Sequence, residues 1–410
     1  MRNTDNLIEV DFEPSRVSYL LDLYRINQDD LFSRVYGERK EKALTEFKNS
    51  TQNKKIKIGM LKKIDLAFGK GLNWYISSRP LKENKSASIF FRKDKFNTEL
   101  NFEAKKITSK FEEKKFQLQA LCDAINYEPK KKLKTYKIEE SPEEIARDMR
   151  KTFDIIERKL IESKKIKRPA DDFTNLKNFI QILGELDIVV FEFIEQWKKK
   201  EKANFSGCFM TPNIIVLQRQ QKYYRREIFT LIHEFAHYLI DIEEIDNMLN
   251  EDYLTNLQSK IEQWCNDFAY YFLVKDYDQR LNEADKATKE NEFLKDLVND
   301  LYKKTLLSNS ALYTRLLIKN KISRPDYDNK IHEIADAITK EREEKKTRMR
   351  EEREFLKQQG IKPHGFASKP IQSNLYKEIV KINFFEGHID ETRLCNYLQI
   401  KPERISKELY

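Results

Sequence analysis

The sequence predicts a predominantly helical α+β fold, with a small sheet and one buried helix at the centre and helical domains on either side. Three observations lead there. Glycine and proline are scarce, 9 and 10 in 410 residues, which favours long helices over many-turned β structure. Strand-like apolar runs fall in one region, at Ile188–Ile194, Gly207–Met210 and Asn213–Leu217, with a turn at Thr211-Pro212-Asn213. Directly after them, Phe229–Asp241 reads Phe-Thr-Leu-Ile-His-Glu-Phe-Ala-His-Tyr-Leu-Ile-Asp, apolar enough for a buried helix and free of breakers.

The elements follow in order. Val17, Leu20, Leu21, Leu23 and Tyr24 predict a first helix. Gln28–Phe32 opens a second that ends near Gly37, and Leu61, Ile64, Ala67 and Phe68 predict a later one closing at Gly69. Between them Glu38–Lys55 is lysine-rich and lacks evident apolar anchors. Residues 1–80 thus read as one small helical domain, with Leu72–Pro80 as its apolar exit. Residues 81–140 read as a helical connector: Ser86–Lys93, a helix over Phe102–Tyr127, then a solvated linker at Lys130-Lys131-Lys132. Ser141-Pro142-Glu143-Glu144 is a helix start, with a Ser cap, Pro in the first turn and acids beside it. That helix runs to about Lys164, and Asp172–Leu183 predicts another, ending at Gly184. With the strands and the apolar helix, these make a central domain over 141–280. Residues 281–360 are helical; Lys340–Phe355 is almost all charge, one long exposed helix or a hinge. Residues 361–410 predict three short helices in a small C-terminal domain.

Composition narrows the function. The formal charge is +9 with 35% charged residues, compatible with nucleic acid or an acidic partner and equally with a lysine-rich soluble surface. Cys122, Cys208, Cys265 and Cys395 are far apart, which argues against a disulfide framework or a cysteine metal site. Met1–Asp5 lead into no apolar signal core, and Ile188–Ile194 is too short to cross a membrane. A cytoplasmic protein without a membrane partner is expected. No phosphate-binding loop, dinucleotide fingerprint or internal repeat occurs.

The chemistry gathers in the apolar helix. His233 and His237 are four residues apart, which places both imidazoles on one helical face about 6 Å apart along the axis. That suits two nitrogens aimed at one metal, and Glu234 stands beside the first histidine as a general base. Downstream, Ile261, Trp264, Cys265, Phe268, Ala269, Phe272 and Leu273 define a second apolar helix with Glu262 at the edge of that face. A crossing of the two helices brings Glu262 to the metal as third ligand, leaving a position for water; Asp241 and Glu243 are the alternatives. The competing reading is a core helix whose histidines are satisfied by hydrogen bonds.

His233-Glu234-x-x-His237, followed by Glu262-x-x-x-Asn266-x-Phe268-Ala269, resembles the ImmA/IrrE metallopeptidases. Arg226, Phe229-Thr230-Leu231, Gly207 and Ile214-Ile215-Val216 also fit that family, and the resemblance is strongest over about residues 170–275. It implies a zincin-like core, a Zn²⁺ cofactor held by His233, His237 and Glu262, Glu234 as catalytic base, and a protein substrate that is a helix-turn-helix repressor. It also implies a stress, mobile-element or phage-defence setting. Residues 1–80 resemble a degenerate form of the family's N-terminal helix-turn-helix domain, which implies either contact with DNA or a module used for protein contact or autoinhibition. Three positions depart from the family: Ala236 stands for Gly, Asp241 for His, and Leu273-Val274-Lys275-Asp276 for Leu-Leu-Met-Pro.

Around the ligands, Asn266 is expected either to support the site from behind or to pack its helix, and Arg226 is a further candidate for support. Asp241 either orients His237 or simply ends the helix. Tyr238, Tyr253, Tyr270, Tyr271 and Arg226 are near in sequence as donors to an oxyanion. The rival to a peptidase is a DNA- or protein-binding regulatory factor that keeps the domain as a scaffold; salt-dependent duplex binding separates the two.

Overall fold

A computed structural model describes residues 8–24, 26–79, 100–195, 201–219, 223–243, 260–361 and 369–409. The fold is predominantly helical α+β, and the chain divides into two compact units, Met1–Lys114 and Lys115–Tyr410. The expected Ser86–Lys93 segment lies outside the described residues.

The first unit contains α1 (Pro14–Tyr24), α2 (Gln28–Tyr36), α3 (Lys40–Asn53), α4 (Ile58–Phe68), α5 (Leu72–Ile76) and the start of α6 (Phe102–Ala124). A short antiparallel ribbon, β1 (Glu9–Asp11) with β2 (Lys55–Lys57), closes the chain around α1, α2 and α3. Asn27 caps α2, its side chain accepting from the Asp30 N–H at 2.7 Å. The stretch read as lacking apolar anchors is largely α3, and it does have them: Ala43, Leu44 and Phe47 are buried. Phe47 packs against Phe12 and Phe32, with ring centroids 6.3 and 5.1 Å away. Three apolar residues on one face are enough to seat a helix whose remaining positions face water. The ribbon was not legible because three-residue strands carry almost no alternation.

In the second unit, α7 (Pro142–Glu162) starts at Ser141, whose hydroxyl accepts from the Glu144 N–H, and α8 (Asp172–Glu185) starts at the Asp171 cap. The sheet has β3 (Val189–Phe193), β4 (Gly207–Met210) and β5 (Ile214–Gln218) in the order β3-β5-β4. β3 runs parallel to β5, with Val190 opposite Ile215; β4 and β5 form a hairpin, with Phe209 opposite Ile215. Every residue of the three strands is buried, which is why they read as continuous apolar runs rather than as alternating ones. α9 (Tyr224–Ile240) lies on β4 and β5, and α10 (Lys260–Val274) lies on α9 and α7. Phe153 of α7 joins them, edge-on to Phe272 at 4.9 Å and 5.3 Å from Phe235. Burying each such ring contributes about 1.5–3 kcal/mol.

The lysine linker is exposed at Lys130, Lys131 and Lys132, as expected of a solvated loop, yet it is anchored at several points. Lys131 sits 5.1 Å from the Tyr238 ring, and Lys132 pairs with Asp187 at 3.1 Å. The Tyr136 N–H donates to the Leu239 carbonyl, and Trp264 Nε1 donates to the Glu140 carbonyl. This segment therefore crosses both helices that carry the candidate ligands.

Beyond α10 come α11 (Asp278–Glu283), α12 (Lys295–Lys304), α13 (Asn309–Ile318) and α14 (Arg324–Gln358). α14 is one unbroken 35-residue helix in which only Tyr327 is buried, so the charged stretch is helix and not hinge. α15 (Asn374–Phe385), α16 (Glu391–Leu398) and α17 (Ile405–Leu409) complete the chain. The segment ahead of α15 is held to the sheet by a buried pair, Arg219 Nη2 to Glu192 Oε2 at 2.6 Å. Arg219 also donates to the Lys369 carbonyl, and the Ile371 N–H donates to Glu192. Burial pushes the Glu192 carboxyl up to about 7 against the pull of Arg219.

Candidate metal centre

α9 is apolar nearly all round, so it is a core helix. Ile228, Leu231, Ile232, Phe235 and Leu239 pack into the core, and His233 and His237 share a different face one turn apart. Glu262 lies in the first turn of α10. The packing of α10 on α9 gathers the three side chains: their donor atoms all lie within 4.8 Å of one another, and all three residues are buried.

The three side chains form a triangle in which each carboxylate oxygen faces one imidazole. His233 Nε2 and His237 Nε2 are 3.2 Å apart. Glu262 Oε2 is 3.1 Å from the first, and Oε1 is 3.2 Å from the second. A tetrahedral shell with bonds near 2.0–2.1 Å requires donors about 3.3 Å apart, so the spacing fits such an ion. The outer nitrogens set the tautomers. His237 Nδ1 donates to the Ile242 carbonyl at 3.2 Å, and His233 Nδ1 donates to Asn266 Oδ1 at 3.0 Å. With the protons on Nδ1, both Nε2 lone pairs face the centre of the triangle. Burial lowers the pKa of His237, favouring the neutral imidazole that a ligand must be. Burial works against the charge on Glu262; when a proton on the facing imidazoles, rather than an ion, occupies the centre, His233 and His237 pull its carboxyl well below the usual range.

Glu234 is 2% exposed and lies against the start of β4. A Cβ at Gly207 would come 2.8 Å from Thr230 Cγ2 and 2.9 Å from both Cγ and Oε1 of Glu234. Only glycine leaves room for the base to sit beside this edge strand. Gly207→Ala should therefore displace Glu234 or Thr230 and destabilise the domain by roughly 1–3 kcal/mol, as overpacking does. Denaturant unfolding with and without metal checks this; unchanged stability would mean the contact yields freely.

The expected supporting residues separate. Asn266 is at His233, as stated. Asp241 is not the group at His237. It caps α9 in the left-handed conformation, with φ 57°, and its carboxylate approaches Lys131 at 3.9 Å. The Ile242 carbonyl takes the place expected for it, because the chain turns back immediately after the cap: the Ile242 N–H donates to the His237 carbonyl. Arg226 is in the first turn of α9, about two helical turns before His233. Of the tyrosines considered as oxyanion donors, Tyr270 donates to Asp278 at 2.6 Å, Tyr238 is buried beside Phe209 and Phe235, and Tyr253 lies outside the described residues. Tyr271 is stacked near the Arg315 guanidinium. Sequence reasoning missed Ile242, since a backbone carbonyl leaves no mark in a sequence. Asn266→Ala should weaken metal binding by about 10–100-fold, whereas Asp241→Ala should leave it unchanged; metal titration of the two variants reads the contrast.

Two imidazoles and a carboxylate, delivered by crossing helices beside a small mixed sheet, define a zincin-like core. Residues 184–300 match the family model described as Peptidase_M78, IrrE N-terminal-like domain, so this part of the chain is similar to that family. No curated protein and no solved structure matches the chain.

Proposed function

We propose that this protein is a zinc-dependent endopeptidase in which His233, His237 and Glu262 hold the ion and Glu234 is the general base. The observation that carries the reading is the triangle of buried donors with a buried carboxylate on the adjacent residue of the same helix. A divalent ion, when bound, supplies Lewis-acid activation of a water and of the scissile carbonyl. Glu234 accepts the proton of the attacking water on its carboxylate and passes it to the leaving nitrogen. β4 lies at one edge of the sheet, with Gly207 against Glu234, so an extended substrate pairing along that edge would bring its backbone past the base. Asn266 and the Ile242 carbonyl keep the two imidazoles turned inward.

The substrate favoured by the likeness to the ImmA/IrrE proteins is a DNA-binding repressor of the helix-turn-helix class, cut in the cytoplasm during a stress, mobile-element or phage-defence response. Among the described residues, no helix is long and apolar enough to cross a membrane. The test is cleavage of a defined peptide library by the full chain loaded with zinc, read by mass spectrometry. Chelator-sensitive cleavage supports the reading. No cleavage by a protein shown to hold one ion per chain, with repressor proteins also left intact, would return it to a metal-bearing scaffold.

A further inference from the structure

The end of α9 is tied to the tip of the β4–β5 hairpin, and the tie passes beside the carbonyl that orients His237. Thr211 directly follows β4. Its N–H donates to Glu243 Oε1 at 2.6 Å, and its hydroxyl donates to the same oxygen at 2.7 Å. Glu243 is the residue after Ile242, whose carbonyl accepts from His237 Nδ1. That carbonyl lies past the helix cap, where no helical ladder holds it. On one side it is fixed by the Ile242 N–H bond to the His237 carbonyl. On the other it is fixed by the Glu243 carboxylate clamped at Thr211.

From this geometry we infer that Glu243 is a positioning residue of the metal centre. Its carboxylate, anchored on Thr211, holds the Ile242 carbonyl against His237 and so aims Nε2 of that histidine inward. This rests on the metal-centre reading above. The sequence had offered Glu243 as an alternative ligand; the donor triangle gives that place to Glu262, and Glu243 instead supports the site through the backbone beside it. The clamp also sets the far end of β4. The near end is set by the Gly207 contact with Thr230 and Glu234. The edge strand is thus registered along α9 at both ends, and one of those anchors also serves a ligand.

The test uses the full chain, stripped by chelator and titrated with Co²⁺, whose visible spectrum reports coordination geometry. Wild type, Glu243→Ala and Glu243→Gln are compared, with thermal unfolding of each stripped protein recording the fold. Glu243→Ala should bind Co²⁺ roughly tenfold more weakly, the lower end of the loss seen when partners of ligating histidines are removed, and its spectrum should shift. Glu243→Gln keeps an amide oxygen that accepts both Thr211 bonds, and should stay within about twofold of wild type. Wild-type affinity and spectrum in Glu243→Ala would overturn the inference and leave the peptidase reading intact. Equal losses in the Ala and Gln variants would also overturn it, by assigning the effect to the lost charge. Failure of the wild type to take up Co²⁺ would overturn both. Should Glu243→Ala not fold, Thr211→Val removes the hydroxyl bond alone; a weaker, shifted site restored by Thr211→Ser supports the clamp, and an unchanged Thr211→Val site overturns it.

Discussion

Metal-loaded Glu234→Gln should keep its ion and its fold and lose hydrolysis by roughly 10²–10⁴-fold, the contribution of a positioned general base. The amide is nearly the same size as the carboxylate, so the tight packing against Gly207 and Thr230 survives. Glu234 is not among the converging donors, so the ion is retained. What changes is basicity: an amide oxygen does not take the proton of the attacking water, and none is then available for the leaving nitrogen. Metal content by elemental analysis and cleavage of the peptide library are measured on the same preparation. A metal-replete Glu234→Gln protein that cuts at the wild-type rate would remove Glu234 from the base role and move attention to another carboxylate in the cleft.

Glu262→Ala should abolish high-affinity metal binding. Loss of a partner behind a ligand costs about 10–100-fold in affinity, so loss of a ligand should exceed that range. Two neighbouring imidazoles alone form a weak and incomplete shell. A thermal readout makes the outcome sharp. An ion that binds only the folded state stabilises it by about 2.7 kcal/mol at a hundred times its Kd, so the wild-type melting temperature should rise on adding zinc. For Glu262→Ala the rise should be close to nil. The same zinc-induced rise in both proteins would place the third ligand elsewhere. His237→Ala serves as the companion variant, with the same loss expected.

The sequence by itself determined what local geometry and apolar patterning encode. The four-residue spacing of His233 and His237 sets a shared helical face whatever surrounds it. The apolar periodicity around Glu262 implied a second buried helix able to meet the first. Asn266, one turn beyond Glu262, was left between supporting the site and packing the helix, and its side chain stands at His233. Three strands ahead of the motif helix were legible because fully buried strands are largely apolar runs, and the cap at Ser141 marks a helix start with its own side chain.

Only the tertiary structure decided which group turns His237. The candidate visible in sequence was the carboxylate of Asp241; the group in place is the backbone carbonyl of Ile242, which every residue type possesses and none advertises. The same holds for the parallel pairing of β3 with β5 and for the linker that crosses both metal helices: strand order and docking are set by contacts between residues far apart in the chain. It holds for Gly207 too. In sequence it stood out only as a residue that fits the ImmA/IrrE pattern; the physical reason for it comes from the approach of Glu234 and Thr230, two side chains that reach it only once the helix is laid on the sheet.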